Sequence, residues 1–380
     1  MRRSDFLPLA KPYISEDELA AANEVLKSGW WTTGPKVTEF ETALSDYLKD
    51  DDDLYAVGLN SCTSALHLAL IACGIGKDDE VIVPTWTFAA TAHVVEWVGA
   101  KVVLCDIEGE SLNIDLEKAE KLITTKTKAI IPVHIAGFPC DIEGIASLAK
   151  KHDLKVIEDA AHAIGTEYKG AKIGNFSDVT CFSFYATKNL AMGEGGAAVS
   201  KNKEIIEQIR KLGYFGINKE AFKRYEKSGN WRYDIEEIGY KCNLDSVHAA
   251  IGIEQLKKLD SLNDKRRAIS ERYKKNLSKR IKFTTDSEEH HHTYHLFPIL
   301  LPDEIERDAF IAAMKDENIG TSVHFIPLHL HSYYAKKVDG NTFERADEIF
   351  QKIVSIPMFP SMSDEDIEYV ISKVNAFMGE

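Results

Sequence analysis

The stretch Cys181-Phe-Ser-Phe-Tyr-Ala-Thr-Lys-Asn-Leu-Ala-Met-Gly-Glu-Gly-Gly196 carries the reading of this chain. Its apolar start has the length and composition of a buried strand, and Lys188 stands in the small-residue turn that follows. A lysine amine is a useful nucleophile toward carbonyls only when it is held, partly desolvated, beside its electrophile. The end of a buried strand is such a place.

Outward from this turn, Lys155-Val-Ile-Glu-Asp-Ala-Ala-His162 reads as a second short strand that delivers Asp159 at its C-terminal end. Side chains alternate along a strand, so Glu158 points to the opposite side, exposed or structural. A buried carboxylate near a reactive lysine suits pyridoxal phosphate, whose ring nitrogen must keep its proton for the ring to serve as an electron sink. Asp159 is the expected partner of that nitrogen and Lys188 the expected point of attachment. A phosphate also needs a cradle. From Leu54 to Leu59 an apolar strand leads through Asn60-Ser-Cys-Thr-Ser64 into an Ala/Leu-rich helix, so backbone N–H groups and the helix dipole converge on an anion site with Thr63 and Ser64 as ligands. No Gly-x-Gly-x-x-Gly or Gly-x-x-x-x-Gly-Lys-Ser/Thr occurs, which speaks against a dinucleotide or nucleoside triphosphate loop. Taken singly, Asp159 and the Ser/Thr pair also read as helix caps. Their conjunction with Lys188 favours the cofactor site.

The segments Ser28 to Lys36, Asn60 to Leu66, Val83-Pro-Thr-Trp-Thr-Phe88, Pro132-Val-His-Ile-Ala-Gly137, Glu158 to His162, Ser183 to Lys188 with Gly193-Glu-Gly-Gly196, and Gly239-Tyr-Lys-Cys-Asn243 come in one order along nearly the whole chain. In that order they resemble the DegT/DnrJ/StrS family of sugar aminotransferases. Within it the Trp-Thr-Thr-Gly-Pro start, the Gly-Tyr-Lys-x-Asn-Leu turn and Gly320-Thr-Ser-Val-His-Phe325 are most similar to the UDP-4-amino-4-deoxy-arabinose aminotransferase type. The resemblance implies a fold-type I pyridoxal phosphate enzyme that moves an amino group from L-glutamate to a nucleotide-linked ketosugar. It further implies that Trp86 stacks on the cofactor ring, that His162 reaches its phenolic oxygen, and that Ser183 adds a phosphate contact. In the family the turn at Asn243 crosses a two-fold interface to the partner's cofactor phosphate, so a homodimer with shared active sites is expected. The family more often has Asn where Lys241 stands and Arg where Asn243 stands. Trp31, Thr32, Lys36, Tyr185, Lys241, His324 and His329 are the candidates for holding the sugar nucleotide.

Length and charge agree with this reading. With 380 residues, 44% hydrophobic, the chain can bury a large core and a smaller one. Short apolar runs at Leu54–Leu59, Glu80–Pro84, Lys101–Asp106, Ala129–His134, Lys155–Asp159 and Val179–Phe184 alternate with helix-length segments. They indicate an α/β domain with a mostly parallel sheet, seven-stranded in the family, over residues 1–250. Ligands gather beyond the carboxyl ends of such strands, where Asn60–Ser64, Thr85–Phe88, Asp159 and Lys188 all fall. A helix from Asp245 to Leu262 leads into a small α+β domain over residues 251–380. Its expected parts are a strand at His295–Leu301, a helix at Asp303–Glu317, a strand near Ser322–Ile326 and a closing helix from Asp364. A net charge of −14 without a long basic stripe argues against nucleic acid. Six scattered cysteines without a Cys-x-x-Cys pair suggest reduced thiols. No apolar stretch has signal-peptide or membrane-span length, so a cytoplasmic location is expected. The tract His290-His-His292 lacks a Cys or carboxylate spaced to complete a metal site and reads as a loop entering a strand.

Other assignments stay open at this level. One is amination at C-3 of a dTDP- or GDP-sugar. Another is a sugar dehydratase on the same scaffold, in whose relatives histidine replaces the lysine. The third is a non-catalytic regulator, which would be expected to have lost Lys188 or Asp159.

Overall fold

The computed structural model describes residues 3–109, 111–217, 232–284, 290–338 and 340–380. Helices α1 (Glu16–Ser28) and α2 (Pro35–Leu48) come first. α1 begins on a capping box in which Ser15 and Glu18 satisfy each other's backbone N–H groups. Then β1 (Tyr55–Leu59), α3 (Cys62–Ala72), β2 (Glu80–Pro84), α4 (Ala89–Trp97), β3 (Lys101–Cys105), α5 (Leu116–Lys121), β4 (Thr127–Ile130), α6 (Ile142–His152) and β5 (Lys155–Asp159) alternate. A short hairpin of β6 (Glu167–Tyr168) and β7 (Ala171–Lys172) precedes β8 (Val179–Ser183), β9 (Gly196–Ser200) and α7 (Lys203–Leu212).

Among the described residues the principal sheet has seven strands in the order β1-β9-β8-β5-β4-β2-β3. All neighbours run parallel except β9, which lies antiparallel between β8 and β1. Every residue of β2, β8 and β9 is buried, as a sheet covered on both faces requires. One face packs on α3, α4 and α7, the other on α2 and α8 (Ser246–Asn276). β9 was not foreseen as a strand, because Gly-Ala-Ala-Val-Ser is too small-sided to stand out as an apolar run.

α8 runs well past the expected Leu262. Ala249, Ile253, Leu256 and Leu259 join Phe40 and Leu44 in one core, while Ile269 and Tyr273 join a second, so the expected division at residue 250 falls inside this helix. The second core sits under a three-stranded antiparallel sheet, β10 (Lys282–Phe283), β12 (Phe297–Leu300) and β13 (Ile353–Ile356). Helices α9 (Arg307–Asp316) and α11 (Asp364–Met378) pack on it through Phe310, Val370 and Val374. Between them lies α10 (Glu344–Phe350).

Three expectations need correction. No strand forms over Ser322–Ile326: Ser322 makes a single bridge to Ser355, and the chain then turns toward the large sheet, where Trp86 Nε1 donates to the His324 carbonyl at 3.0 Å. The strand position belongs instead to β13, whose four residues are all buried. The helix expected at Asp303 starts at Arg307, because Pro302 to Ile305 closes a turn first. In the histidine tract, His290 and His291 are themselves a strand, β11, paired with Tyr168 and Glu167 of β6. No helix among the described residues is long and apolar enough to cross a membrane.

Candidate active site

Lys188 is positioned by a compact loop between β8 and β9. Its own N–H donates to the Tyr185 carbonyl at 2.8 Å, and Met192 N–H returns to Phe184 O at 2.8 Å. Two side chains pin this loop from below. Phe184 meets Phe40 of α2 edge-on at 5.5 Å, and Met192 nests over Gly252, where a Cβ would stand 1.9 Å from the methionine methyl. α8 therefore has a notch that only glycine leaves open.

The loop holds Lys188 against a cavity of about 560 Å³ beyond the carboxyl ends of β1, β2, β5 and β8. Asp159, Thr63, His162, Ser183, Tyr185 and His324 line it with Lys188, as the sequence suggested. Asp159 is buried, and its carboxylate is already held on both oxygens. Thr91 Oγ1 donates to Oδ2 at 2.7 Å and Ala161 N–H to Oδ1 at 3.1 Å. A carboxylate only accepts, so the Thr91 proton is spent there and the hydrogen bond of 2.7 Å between Thr87 and Thr91 must be donated by Thr87. Burial raises the Asp159 pKa, an effect opposed by these bonds and by Lys188. Burial also pushes the Lys188 amine down to about 8, against the attraction of Asp159. At pH 7 about a tenth of this amine is therefore unprotonated and nucleophilic, far more than of an ordinary lysine.

Three histidines share the cavity wall. Burial drives His162 and His295 well below the ordinary histidine pKa and His324 to about 4, so all three are neutral at pH 7. His162 Nδ1 accepts the Ala136 N–H at 3.3 Å, which leaves the proton on Nε2. Lys188 is the only lysine or arginine among the described residues that line the cavity.

The turn expected to cradle a phosphate lies at the start of α3. Ser61 is the N-cap and accepts Ser64 N–H at 3.1 Å, while Cys62 and Thr63 open the first turn toward the cavity. Gly196 makes the approach possible, since a Cβ there would lie 2.3 Å from Cys62 N. The Ser64 hydroxyl turns to Asn60 Oδ1 at 2.7 Å and is not in the cavity wall; Ser61 stands there instead.

Trp86 does not face the cavity. It is wholly buried in the core, and Phe88, two residues on, presents its ring there with 62% of its surface exposed. Beyond Pro84 the chain bends, so strand alternation no longer sets the facing of these two rings; the Trp86 indole is instead tied to the His324 carbonyl by its Nε1–H at 3.0 Å. His329 is also elsewhere. Its Nδ1 bonds Thr85 Oγ1 at 2.7 Å and its Nε2 bonds Asp347 at 2.9 Å, so both nitrogens are occupied away from the cavity. Trp31, Thr32, Lys36, Lys241 and Asn243 gather on another surface. Thr33 accepts from Asn243 Nδ2 at 2.6 Å, Ser246 Oγ donates to Thr32 O at 2.6 Å, and Lys36 pairs with Glu39 at 2.9 Å. Glu158 is buried, not exposed, and accepts from Thr180 at 2.6 Å on the far side of β5 from Asp159. Thr87, Phe88, Thr91 and His295 were given no individual role in the sequence reading. Thr87 and Phe88 lay in the same post-strand segment as Trp86 and His295 beside a histidine tract, whereas Thr91 had no signal.

A lysine amine and a buried carboxylate facing one cavity, with a helix N-terminus at its edge, match a known family. The model of the DegT/DnrJ/EryC1/StrS aminotransferase family covers residues 12–375. The chain belongs to that family. It is 44% identical to the uncharacterized protein MJ1066 of Methanocaldococcus jannaschii over all of both chains. It is 42% identical to the spore coat polysaccharide biosynthesis protein SpsC of Bacillus subtilis, over 98% of this chain and 97% of that one. Among solved structures, Spr1654 of Streptococcus pneumoniae, named as a sugar aminotransferase, superposes in its PMP-form with a TM-score of 0.91 at 32% identity, covering 97% and 98% of the two chains. A PLP-form of the same protein gives 0.90. As a member of this family the chain is an aminotransferase of the α/β class.

Proposed function

We propose that this aminotransferase binds pyridoxal phosphate through Lys188 and transfers an amino group from L-glutamate to a nucleotide-linked ketosugar. The favoured acceptor is a UDP-4-keto sugar, in cytoplasmic synthesis of cell-surface polysaccharide or a related amino sugar. The observation that carries this reading is the joint placement of the Lys188 amine and the Asp159 carboxylate in one cavity wall. The names of SpsC and Spr1654 support sugar chemistry.

The residues present fit the cofactor. Lys188 Nζ is the amine that would hold its aldehyde, and Asp159 would face its ring nitrogen. Phe88 offers a flat surface, and the first turn of α3 with Ser183 would take its phosphate. When bound, pyridoxal phosphate supplies an aldehyde that condenses with amines and a protonated ring that accepts an electron pair. Asp159, fixed by Thr91 and Ala161 N–H, holds that ring proton in place. His162 offers an Nε2 proton donor. Lys188 Nζ, with its pKa lowered to about 8, can take up a proton from a substrate carbon and return it at moderate cost.

The cavity offers little positive charge for a diphosphate. A homodimer in which Lys241 and Asn243 reach the partner's cavity would make up the deficit. The exposed faces of Trp97, Tyr240 and Ile238 are the apolar surface such an interface would cover. Incubation with L-glutamate, pyridoxal phosphate and a panel of UDP-, dTDP- and GDP-ketosugars tests the reading. Amination at C-4 of a UDP-sugar, located by NMR, is the expected result; amination at C-3, or of dTDP- or GDP-sugars only, would correct the substrate. No amination at all would overturn it.

A further inference from the structure

His295 stands in the cavity wall with its ring centroid 4.4 Å from that of His162. Its Nδ1 lies 3.0 Å from Oδ1 of Asn189, the residue next to Lys188. The orientation of that amide is forced by its surroundings. The other end of Asn189 faces Asn263 Oδ1 at 2.8 Å and the Thr293 carbonyl at 3.0 Å. A carbonyl only accepts, so the NH2 group must stand there and the oxygen must face His295. Asn263 is fixed in turn, because its own NH2 donates to the Ile164 carbonyl at 3.3 Å. An amide oxygen likewise only accepts, so His295 Nδ1 carries a proton. Burial keeps this ring neutral, and its Nε2 is therefore bare. Nε2 has no partner among the described residues and is not sealed from solvent, so it opens onto the cavity that the ring lines.

The backbone around the ring is held as firmly as the ring itself. The buried Arg266 guanidinium donates to the carbonyls of Tyr294 and His295 at 3.4 Å and of Met358 at 3.1 Å. His162 and His295 thus show the cavity opposite faces of the same chemistry, one an Nε2 donor and the other an Nε2 acceptor. We infer that His295 is a substrate-orienting residue for the amino transfer proposed above: a tautomer-locked imidazole, set by the residue adjoining Lys188, whose bare Nε2 accepts a hydrogen bond from a sugar hydroxyl. A carboxylate or phosphate oxygen brings no proton and meets this lone pair with repulsion. The position therefore selects hydroxyl-bearing sugar and turns anionic groups to other parts of the site.

Two measurements test this. In protein carrying 15N-labelled histidine, with the resonance assigned through His295→Gln, NMR should find His295 as the neutral Nδ1–H tautomer without titration between about pH 6 and 8. An Nε2–H tautomer, or a titration near the ordinary histidine value, overturns the assignment. In turnover with L-glutamate and whichever ketosugar nucleotide of the panel the wild type aminates fastest, His295→Phe should lose about tenfold to a hundredfold in kcat/KM for the sugar. His295→Gln keeps an acceptor oxygen and should regain part of that loss. The sugar half-reaction should suffer at least about tenfold more than the glutamate half-reaction, read separately from the cofactor absorbance. Equal rates in wild type and His295→Phe, or a loss confined to the glutamate half-reaction, overturn the role. The tautomer is read without turnover, so it stands or falls separately from the amino-transfer reading.

Discussion

Replacing Lys188 by methionine should make the cofactor-free protein more stable at neutral pH. The amine has been brought from its ordinary 10.5 to about 8, chiefly by burial. At ~1.4 kcal/mol per pH unit this corresponds to about 3 kcal/mol of unfavourable charge in the native state. Water reaching the half-buried side chain through the cavity, and the loss of an attractive neighbour for Asp159, reduce the recoverable part to about 2 kcal/mol. The sign follows from proton binding. Between pH 8 and 10.5 the unfolded chain holds the lysine proton and the native chain does not, so wild-type stability rises with pH across this window. Below pH 8 the penalty is present in full, and above 10.5 it is gone. For 380 residues an unfolding entropy of about 0.8 kcal/mol/K turns 2 kcal/mol into a Tm gain of about 2–3 °C. Thermal melts of the cofactor-free wild type and Lys188→Met at about pH 7 and pH 10 are the assay. The variant should melt higher at pH 7 and lose most of that advantage at pH 10. Pyridoxal phosphate should then raise the wild type by mass action more than the variant, which keeps the ring and phosphate contacts but lacks the amine. An equal or lower Tm for the variant at pH 7, or a gain unchanged at pH 10, would refute the burial argument.

The remaining predictions concern neighbouring residues. Asp159→Asn removes the anion that would hold the ring proton, so transamination should fall by more than about a hundredfold while cofactor still binds; near-normal turnover would remove Asp159 from its role. Phe88→Ala should weaken pyridoxal phosphate binding several-fold, about 1 kcal/mol of ring contact. Trp86→Ala should instead cost about 3–5 kcal/mol of stability in denaturant titration, and the opposite pattern would return the stacking role to Trp86. Gly196→Ala forces a Cβ against the first turn of α3 and should lower affinity for the cofactor more than for its phosphate-free analogue pyridoxal, measured by titration. Equal losses for the two would dissociate that turn from phosphate binding.

The strands that build the site were legible because parallel strands buried on both faces are short, uniformly apolar runs. Glu80–Pro84 and Lys155–Asp159 have the same bounds in sequence and structure. β13 went unread because Ile353–Ile356 follows a helix at close range, and Ser322–Ile326 offered a similar pattern where none formed. Lys188 and Asp159 could be placed since Asp159 ends a strand, β5, and Lys188 stands in the short loop after another, β8. Which of Trp86 and Phe88 meets the cavity depends on packing from α3 and the 324–328 segment, far away in sequence. The same holds for the histidines. His329 was chosen by motif and is tied to Thr85 and Asp347, whereas His295 had only its closeness to a histidine tract and lines the cavity. Thr91 had no local signal at all; a threonine in the first turn of a helix is commonplace, and its partner lies 68 residues away.

Borohydride reduction of the protein loaded with pyridoxal phosphate, followed by peptide mass mapping, tests the central assignment most directly. The account predicts one modified residue, Lys188, in the peptide that joins β8 to β9, and loss of the label in Lys188→Met. A label on any other lysine, or none, would contradict it.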